Sequence, residues 1–318
     1  MIQDSEIINE RINKDLDINK KLFKYEVSVI VVIYNSNFEK IKKTIISAIN
    51  QKDIKKEIII ADDGSKNNYE KEIKFLFEEN DFVDFKLIFN KTNKGTVANL
   101  LGALDKAEGE YTKTLSPGDF LIDERALREW VDYLKKNNYN WSFSEAKYYS
   151  NESQKSIVRA MAHPQVISPY LSGNKKRCRW NYIALKDVAL GAATIGDTGI
   201  MTRYCNLIAD NGVIYAEDNI WRLMMYDGEV GGYYPYETIQ YEYGSGVSTL
   251  GNGIWKERLT SDWKNTNDII LLKSKKDSFQ KKMCKAIKNE STFMVIFIKG
   301  RVWHGLRKRV NKRLKIVN

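Results

Sequence analysis

Two apolar runs near the start of the chain decide the fold: residues 27–34 read VSVIVVIY and residues 57–61 read EIIIA. Both are almost continuously apolar and rich in β-branched residues, which is typical of strands buried on both faces of a parallel sheet. The segment between them, residues 38–50, has its apolar residues at helical spacing. A strand, a helix and a second strand in this order predict a right-handed crossover between parallel neighbours.

The same alternation continues to about residue 150. Further strands are predicted at 85–89, 111–115 and 141–146, and further helices at 68–79, 94–107 and 123–136. This pattern predicts an α/β fold with a doubly wound, mostly parallel sheet and helices on both faces. Beyond residue 150 the alternation fades, and the Gly- and Tyr-rich stretch 225–255 predicts strands and long loops.

Composition narrows the classes of protein. The 318 residues are 43% hydrophobic, which is ample for a core. Three cysteines and two histidines argue against a disulfide framework, a Cys-rich zinc site and catalysis by several histidines, and they fit a reducing cytosol. The longest apolar runs, 27–34 and 293–298, are too short to span a membrane. The acidic first 17 residues lack the apolar stretch of a secretory signal.

The net charge of +10 is concentrated at one end of the chain. Residues 271–318 hold 15 of the 51 Lys and Arg residues but only 2 of the 41 acidic residues. The rest of the chain is therefore close to neutral, and we expect no nucleic-acid partner for it. The tail is either a solvated basic helix or a segment with an anionic partner of its own.

Polar turns follow three of the predicted strands: Tyr34-Asn35, Asp62–Ser65 and Ser116–Asp119. In a parallel sheet these turns lie at one edge, where ligands bind. Neither a Walker-type phosphate loop nor a dinucleotide glycine fingerprint follows the first strand. Carboxylates at 62 and 63 suit a ribose hydroxyl or a base N–H, and a carboxylate at 119 suits a divalent metal.

Five segments in order carry a family resemblance. They are VSVIVVIYN (27–35), IIIADDGS (58–65), NKGTVANLLGALDKAEGEY (93–111), LSPGDF (115–120) and VIYAED (213–218). Together they resemble the family 2 glycosyltransferases with a GT-A fold. The resemblance implies inverting transfer of a sugar from a nucleotide-diphosphate donor, expected to be a UDP-sugar, to a carbohydrate or lipid-linked acceptor. A later run, YEYGSGVSTL (241–250), is similar to a loop of bacterial members that build surface polysaccharides.

The resemblance also implies how the donor is bound. Asp62 and Asp63 match the aspartates that hold the base and ribose. Tyr34 is a candidate for stacking on the base, with a core tyrosine as the alternative. The family's N-x-G-x-x-x-N segment is matched by Asn93, Gly95 and Asn99.

The metal motif departs from the family pattern. Where the family has D-x-D after the fourth strand, this chain reads Ser116-Pro117-Gly118-Asp119, so only the last acid remains. Asp119 is therefore the candidate ligand for Mn²⁺ or Mg²⁺, with the diphosphate and water as further ligands.

Glu217 and Asp218 match the family's catalytic acid pair. Asp218 is the predicted base that takes the acceptor's proton, and Glu217 is the alternative. Because both precede a predicted helix, its dipole is expected to keep the base ionised. Trp221, one turn further, either stacks on a sugar or is buried in the core.

The predicted organisation has three parts. Residues 1–25 form a leading helix and 251–318 a basic helical extension. The catalytic domain spans 26–250, with a nucleotide half (26–120) and an acceptor half (121–250). Basic residues beside Phe and Trp in 291–318 predict peripheral binding to the anionic inner face of the plasma membrane. A nucleotidyltransferase and an inactive membrane-associated scaffold with the same fold are the alternative functions.

Overall fold

The computed structural model describes residues 23–149, 157–162, 164, 166–180, 189–242 and 253–273. Most of the predicted leading helix (residues 1–22), residues 243–250 of the run YEYGSGVSTL and the basic segment 291–318 lie outside the described residues.

The strands and helices follow the predicted alternation in the first half of the chain. In chain order the elements are β1 (Tyr25–Ile33), α1 (Phe38–Ile49), β2 (Lys56–Asp62), α2 (Glu70–Glu79), β3 (Phe85–Phe89), α3 (Thr96–Leu104), β4 (Gly109–Leu115), β5 (Phe120–Leu121), α4 (Ala126–Asn137), β6 (Trp141–Tyr149), β7 (Ile157–Ala162), α5 (Ser168–Leu171), α6 (Lys175–Trp180), β8 (Thr194–Asp197), α7 (Thr198–Asp210), α8 (Asn219–Asp227), β9 (Gly231–Glu242) and α9 (Ile254–Lys273).

The described strands form one sheet in the order β3-β2-β1-β4-β8-β6-β9-β5, with β7 also paired to β6. The nucleotide half is parallel throughout: β2 pairs with β1 and β3, and β1 also pairs with β4. In the second half only β6 and β9 run parallel. The short strand β8 inserts antiparallel between β4 and β6, so among the described strands β4 and β6 are joined through β8.

Both faces of the sheet are covered, which confirms the predicted α/β architecture. Successive residues of β1 enter different cores: Val29 and Val31 pack with α1, α2 and α4, whereas Ile30 packs with α3, α7 and α8. This period of two is what a strand with a helical layer on each side produces.

The predicted catalytic domain ends at residue 250. Helix α9 follows this boundary and packs against that domain. Its Ile269 and Ile270 are buried in the same apolar cluster as Met201 of α7 and Leu223 of α8. The first part of the predicted C-terminal extension therefore contributes to the core of the domain. Among the described residues, no helix combines the length and apolarity needed to cross a membrane.

Candidate active site

The parallel pairings align the ends of three strands at one edge of the sheet. Ile33 of β1 is in register with Asp62 of β2, and Val31 is in register with Leu115 of β4. The turns after these strands therefore start at nearly the same level. Two hydrogen bonds join the first two turns: Asn35 N–H donates to Ser65 Oγ (2.7 Å), and the Asn35 side chain accepts from Lys66 N–H (3.0 Å).

Asp62 has an oxygen that is free to bind a ligand. Its side chain is 1% exposed, and Oδ1 accepts a hydrogen bond from Ser65 N–H at 2.8 Å. Oδ2 is buried and has no hydrogen-bond partner among the residues that the structure describes. A buried carboxylate oxygen without a partner is costly, so this oxygen suits a donor group from a ligand.

Asp63, in contrast, uses both carboxylate oxygens within the protein. Oδ1 accepts from Lys94 N–H (2.8 Å) and Oδ2 from Gly95 N–H (2.9 Å). These bonds hold the turn before α3, whose Asn93 side chain also accepts from Gly95 N–H (3.2 Å). The positive φ of Gly95 (91°) and its packing against Ile214 leave no space for a Cβ. The contact between Gly95 and Ile214 therefore joins the nucleotide half to the loop that leads to Glu217.

The remaining two residues of the predicted donor site differ in exposure. Tyr34 is 46% exposed just beyond β1, where its ring is available for stacking. Asn99 is 2% exposed; its Nδ2 donates to Ala61 O (2.8 Å), and its Oδ1 accepts from Asn90 Nδ2 (3.1 Å). The Asn99 amide is thus engaged between α3 and β2 and does not face the turns.

A pocket lies between the end of β4 and the start of α8. Ser116 lines it on the β4 side, Gly191 and Ala192 line it on another, and Glu217 and Asp218 line the α8 side. Its remaining lining is mostly apolar: Val32, Leu100, Thr114, Leu115, Met201, Ile220 and Trp221. Two carboxylates therefore face a pocket with a largely apolar wall.

Trp221 forms part of this wall and is also a core residue. Its side chain is 3% exposed, and its ring centroid lies 5.9 Å from that of Trp141. Trp221 is therefore mostly buried in the core, which is the second of the two alternatives predicted for it.

The Asp218 carboxylate is held from two sides. It accepts a hydrogen bond from Gly191 N–H, and the positive Arg222 guanidinium, 3% exposed, lies near it. Burial raises the pKa of Asp218, whereas the Arg222 charge and the Gly191 N–H lower it. Asp218 stands at the N-terminus of α8 without making a side-chain cap hydrogen bond, and burial is the largest influence on its pKa.

The pKa of Glu217 is raised as well. Burial is the main cause of its raised pKa, and the charges of Asp218 and Asp262 add to it. Two adjacent carboxyls in one pocket do not ionise independently. With Arg222 and the Gly191 N–H beside Asp218, the negative charge of the pair is favoured on Asp218 and the proton on Glu217.

Asp119 lies on the α1 side of the turn after β4, away from the residues that line the pocket. Its side chain is 5% exposed, its Oδ1 accepts from Glu242 N–H of β9 (3.0 Å), and its carbonyl accepts from Thr44 of α1 (2.8 Å). Burial raises its pKa to about 7. The Glu242 carboxylate, paired with Lys40, occupies the space into which a side chain at Gly118 would project.

The turn therefore offers one carboxylate, that of Asp119, and its Oδ1 is already bonded to the backbone of β9. Within the described ranges no three His, Cys, Asp or Glu side chains cluster as metal ligands. Of the turn's residues, Ser116 faces the pocket, and its hydroxyl is a much weaker ligand than a carboxylate.

Sequence analysis missed two residues at the pocket. Gly191 carries no local motif, and only the fold brings it to Asp218. Lys113 had a signal: it is a lysine in the middle of the buried strand YTKTL. Its side chain is fully buried, its Nζ donates to Thr114 O (2.5 Å) and Ala192 O (2.7 Å), and burial lowers its pKa to about 7.

Comparisons with known proteins agree with this geometry. The model of glycosyl transferase family 2 matches residues 28–184. Poly-beta-1,6-N-acetyl-D-glucosamine synthase of Staphylococcus epidermidis is 26% identical over 253 residues, which cover 78% of this chain and 56% of that protein. The chain spans about half the length of the curated relatives it matches.

Solved structures share the fold. S. aureus TarS residues 1–349 in complex with UDP-GlcNAc superpose with a TM-score of 0.58 at 16% identity, covering 85% of this chain and 72% of that one. The mannosyltransferase PcManGT from Pyrobaculum calidifontis, in complex with GDP-Man and Mn²⁺, gives a TM-score of 0.53 at 12% identity, covering 98% and 94%. Its Mn²⁺ shows that a protein of this fold binds a divalent metal. Sequence and fold together show that the chain carries a glycosyltransferase domain of family 2 with the GT-A fold.

Proposed function

We propose that the protein is an inverting glycosyltransferase that moves a sugar from a nucleoside-diphosphate donor to an acceptor hydroxyl. The observation that carries the proposal is the pocket in which Glu217 and Asp218 face the end of β4, at the edge of the sheet where Asp62 keeps a free buried oxygen. A nucleoside at Asp62 and Tyr34 would direct its diphosphate and sugar towards this pocket.

The proposed reaction is a single displacement. The acceptor oxygen forms a bond to the anomeric carbon while the bond from that carbon to the diphosphate oxygen breaks. Asp218 takes the proton of the acceptor hydroxyl, and the nucleoside diphosphate leaves with the bonding electrons. Glu217 stays protonated in this proposal, so it does not place a second negative charge beside Asp218. Glu217 is also the weaker candidate for the catalytic base.

A UDP-sugar is the proposed donor, and a saccharide or lipid-linked saccharide is the proposed acceptor. The TarS structure holds UDP-GlcNAc, whereas the PcManGT structure holds GDP-Man. The Staphylococcus epidermidis relative is named for a poly-N-acetylglucosamine, a cell-surface type of product. These relatives support a role in bacterial surface polysaccharide synthesis.

The described residues do not fit a metal centre at Asp119, because its carboxylate is bonded to the backbone of β9 on the far side of the turn. No step of the proposed reaction is routed through a metal. A divalent ion that accompanies the donor would have diphosphate oxygens and water as its ligands.

The decisive experiment measures binding and turnover separately. Calorimetry with UDP, UDP-GlcNAc and GDP-mannose gives the preferred nucleotide, and release of free UDP or GDP from the two sugar nucleotides gives turnover. We expect Asp218→Asn to bind the nucleotide as the wild type does and to lose turnover. Nucleotide binding without turnover in the wild type, under all acceptors tried, would favour the inactive scaffold instead. A nucleotidyltransferase would instead release pyrophosphate from UTP when a sugar 1-phosphate is supplied as the attacking group.

We also propose that the basic segment 291–318 attaches the enzyme to an anionic membrane at the cytoplasmic face. Its support is compositional: basic residues beside Phe and Trp in one short stretch. Vesicles that contain phosphatidylglycerol should retain the full chain and should release a chain that ends at residue 290. Equal retention of both chains would reject the attachment.

A further inference from the structure

Helix α9 contributes a buried carboxylate to the loop before the catalytic pair. Asp262 is 2% exposed, in the middle of the helix. Its Oδ1 accepts from Ile214 N–H (3.1 Å), and its Oδ2 accepts from Tyr215 N–H (2.7 Å) and Ala216 N–H (2.9 Å). Three backbone donors in a row are thus bound by one charged group, and such hydrogen bonds are among the strongest in proteins.

The loop that Asp262 binds has no regular structure of its own. It follows α7 and ends at Asn219, where α8 begins. Without α9, the N–H groups of residues 214–216 would have only water as a partner. The next two residues are Glu217 and Asp218, so the direction in which the chain enters the pocket depends on how this loop is held.

A second bond from the same helix reaches the other end of the loop. Asn265 Nδ2 donates to Gly212 O at 2.8 Å. Gly212 is further from the catalytic pair than the three amides that Asp262 binds. Asn265 therefore provides a matched comparison: it joins the same helix to the same loop by a neutral side chain.

We propose that Asp262 is a positioning residue, which fixes the backbone of residues 214–216 and thereby places Glu217 and Asp218 in the pocket. The placement follows from the described contacts alone; its consequence for catalysis rests on the proposed function. α9 is accordingly part of the active-site machinery although none of its residues lines the pocket.

The charge of Asp262 also acts on the pair. The charges of Asp218 and of Asp262 in α9 act on Glu217, and the Cys205 thiol of α7 also interacts with it. The charge of Arg222 in α8 acts on Asp218. Asp262 favours the protonated form of Glu217. Removing this negative charge should therefore lower the pKa of Glu217.

Hydrogen exchange of the full chain tests the positioning without any substrate. In the wild type the amides of residues 214–216 should be protected, although they belong to a loop. In Asp262→Asn, which offers one acceptor oxygen instead of two charged ones, at least one of them should exchange about tenfold faster or more. In Asn265→Ala these amides should exchange as in the wild type.

Unprotected amides in the wild type would overturn the proposal without any variant. Equal acceleration in Asp262→Asn and Asn265→Ala would also overturn it, because the helix contact as a whole, and not the carboxylate, would then hold the loop. Thermal unfolding of both variants shows whether a change is local or global.

A kinetic test follows for the donor that the wild type hydrolyses. Asp262→Asn should lower kcat about tenfold or more with little change in the donor KM, since the nucleotide end of the site is not touched. The acid limb of its pH–rate profile should move to lower pH, which a purely structural defect would not produce. An unchanged kcat and limb would overturn the catalytic consequence. If the wild type turns over neither UDP-GlcNAc nor GDP-mannose, these two compounds are rejected as donors, and hydrogen exchange still decides the positioning.

Discussion

The Asp218 carboxylate lies directly against the backbone of Gly191, and a Cβ at position 191 would overlap Asp218 Oδ1. The same approach allows the Gly191 N–H to donate to the carboxylate. Gly191 has no positive φ that would require glycine. The space taken by the neighbouring carboxylate is therefore the physical reason for glycine here.

Gly191→Ala should disable turnover while leaving the nucleotide site intact. The added methyl group must displace the Asp218 carboxylate and weaken its bond to residue 191. A misplacement of about 1 Å can cost about 100-fold in kcat, and we expect a loss of that order with the donor KM unchanged.

Gly102→Ala is the matched control, because a Cβ at position 102 in α3 meets no atom within 4 Å. Helix propensity predicts a gain of up to about 1 kcal/mol in its unfolding free energy. Wild-type kcat in Gly191→Ala would show that the position of Asp218 is not critical.

Asp62 and Asp63 should give opposite phenotypes. Asp62→Asn keeps an acceptor for Ser65 N–H and replaces the free buried oxygen, so it should weaken nucleotide binding about 10-fold to 100-fold with little change in stability. Asp63→Asn loses one of two bonds to backbone N–H groups and should cost about 1.5–3 kcal/mol of unfolding free energy. Calorimetric titration and denaturant unfolding of both variants measure the two effects. Reversed phenotypes would exchange the roles of the two residues.

Asp119→Asn should leave the metal response of nucleotide binding unchanged. The ratio of the UDP affinities with and without Mn²⁺ should be the same in the variant and the wild type within about twofold. This corresponds to about 0.4 kcal/mol of binding free energy. The Asn side chain keeps an acceptor for Glu242 N–H, and the turn should remain folded. A variant that has lost the Mn²⁺ effect but still binds UDP would identify Asp119 as a metal ligand.

The pH–rate profile should have its acid limb well above the ordinary carboxyl range. Burial raises the pKa of both Glu217 and Asp218, so the ionised base is lost as the pH falls through pKa values above the ordinary ones. The raised pKa values also predict how stability depends on pH. The contribution of these carboxyls to the unfolding free energy is fully present below their ordinary pKa and is lost as the pH rises through their raised pKa values. An acid limb near pH 4 in kcat/KM would contradict the burial of the base.

Local sequence determined the nucleotide half well. Strands such as 27–34 are continuous apolar runs and helices such as 38–50 have clear spacing, so both the elements and their parallel order could be predicted. The strands beyond residue 150 could not be placed. β8 has four residues, too few for a periodic signal, and it pairs antiparallel between β4 and β6 through contacts distant in the chain.

The residue types of the site also came from the sequence, but their partners did not. Sequence motifs identify Asp62, Asp63, Asn99 and Asp119 as site residues and do not distinguish between them. The tertiary structure separates them. Oδ2 of Asp62 has no partner among the described residues, whereas the side chains of Asp63, Asn99 and Asp119 form hydrogen bonds within the protein. The environment of Asp218 is likewise partly tertiary: Arg222 is one helical turn away in the sequence, whereas Gly191 is brought to the carboxylate only by the fold.

The sequence by itself therefore determined the fold class, the family and the order of the acidic turns, since these depend on local periodicity and short motifs. The tertiary structure decided which carboxylates are available to a ligand and which maintain the fold. It also brought Asp262, 46 residues after Ala216, onto the loop before the catalytic pair. Hydrogen-bond satisfaction and burial are properties of the folded chain as a whole, and no local pattern of residues contains them.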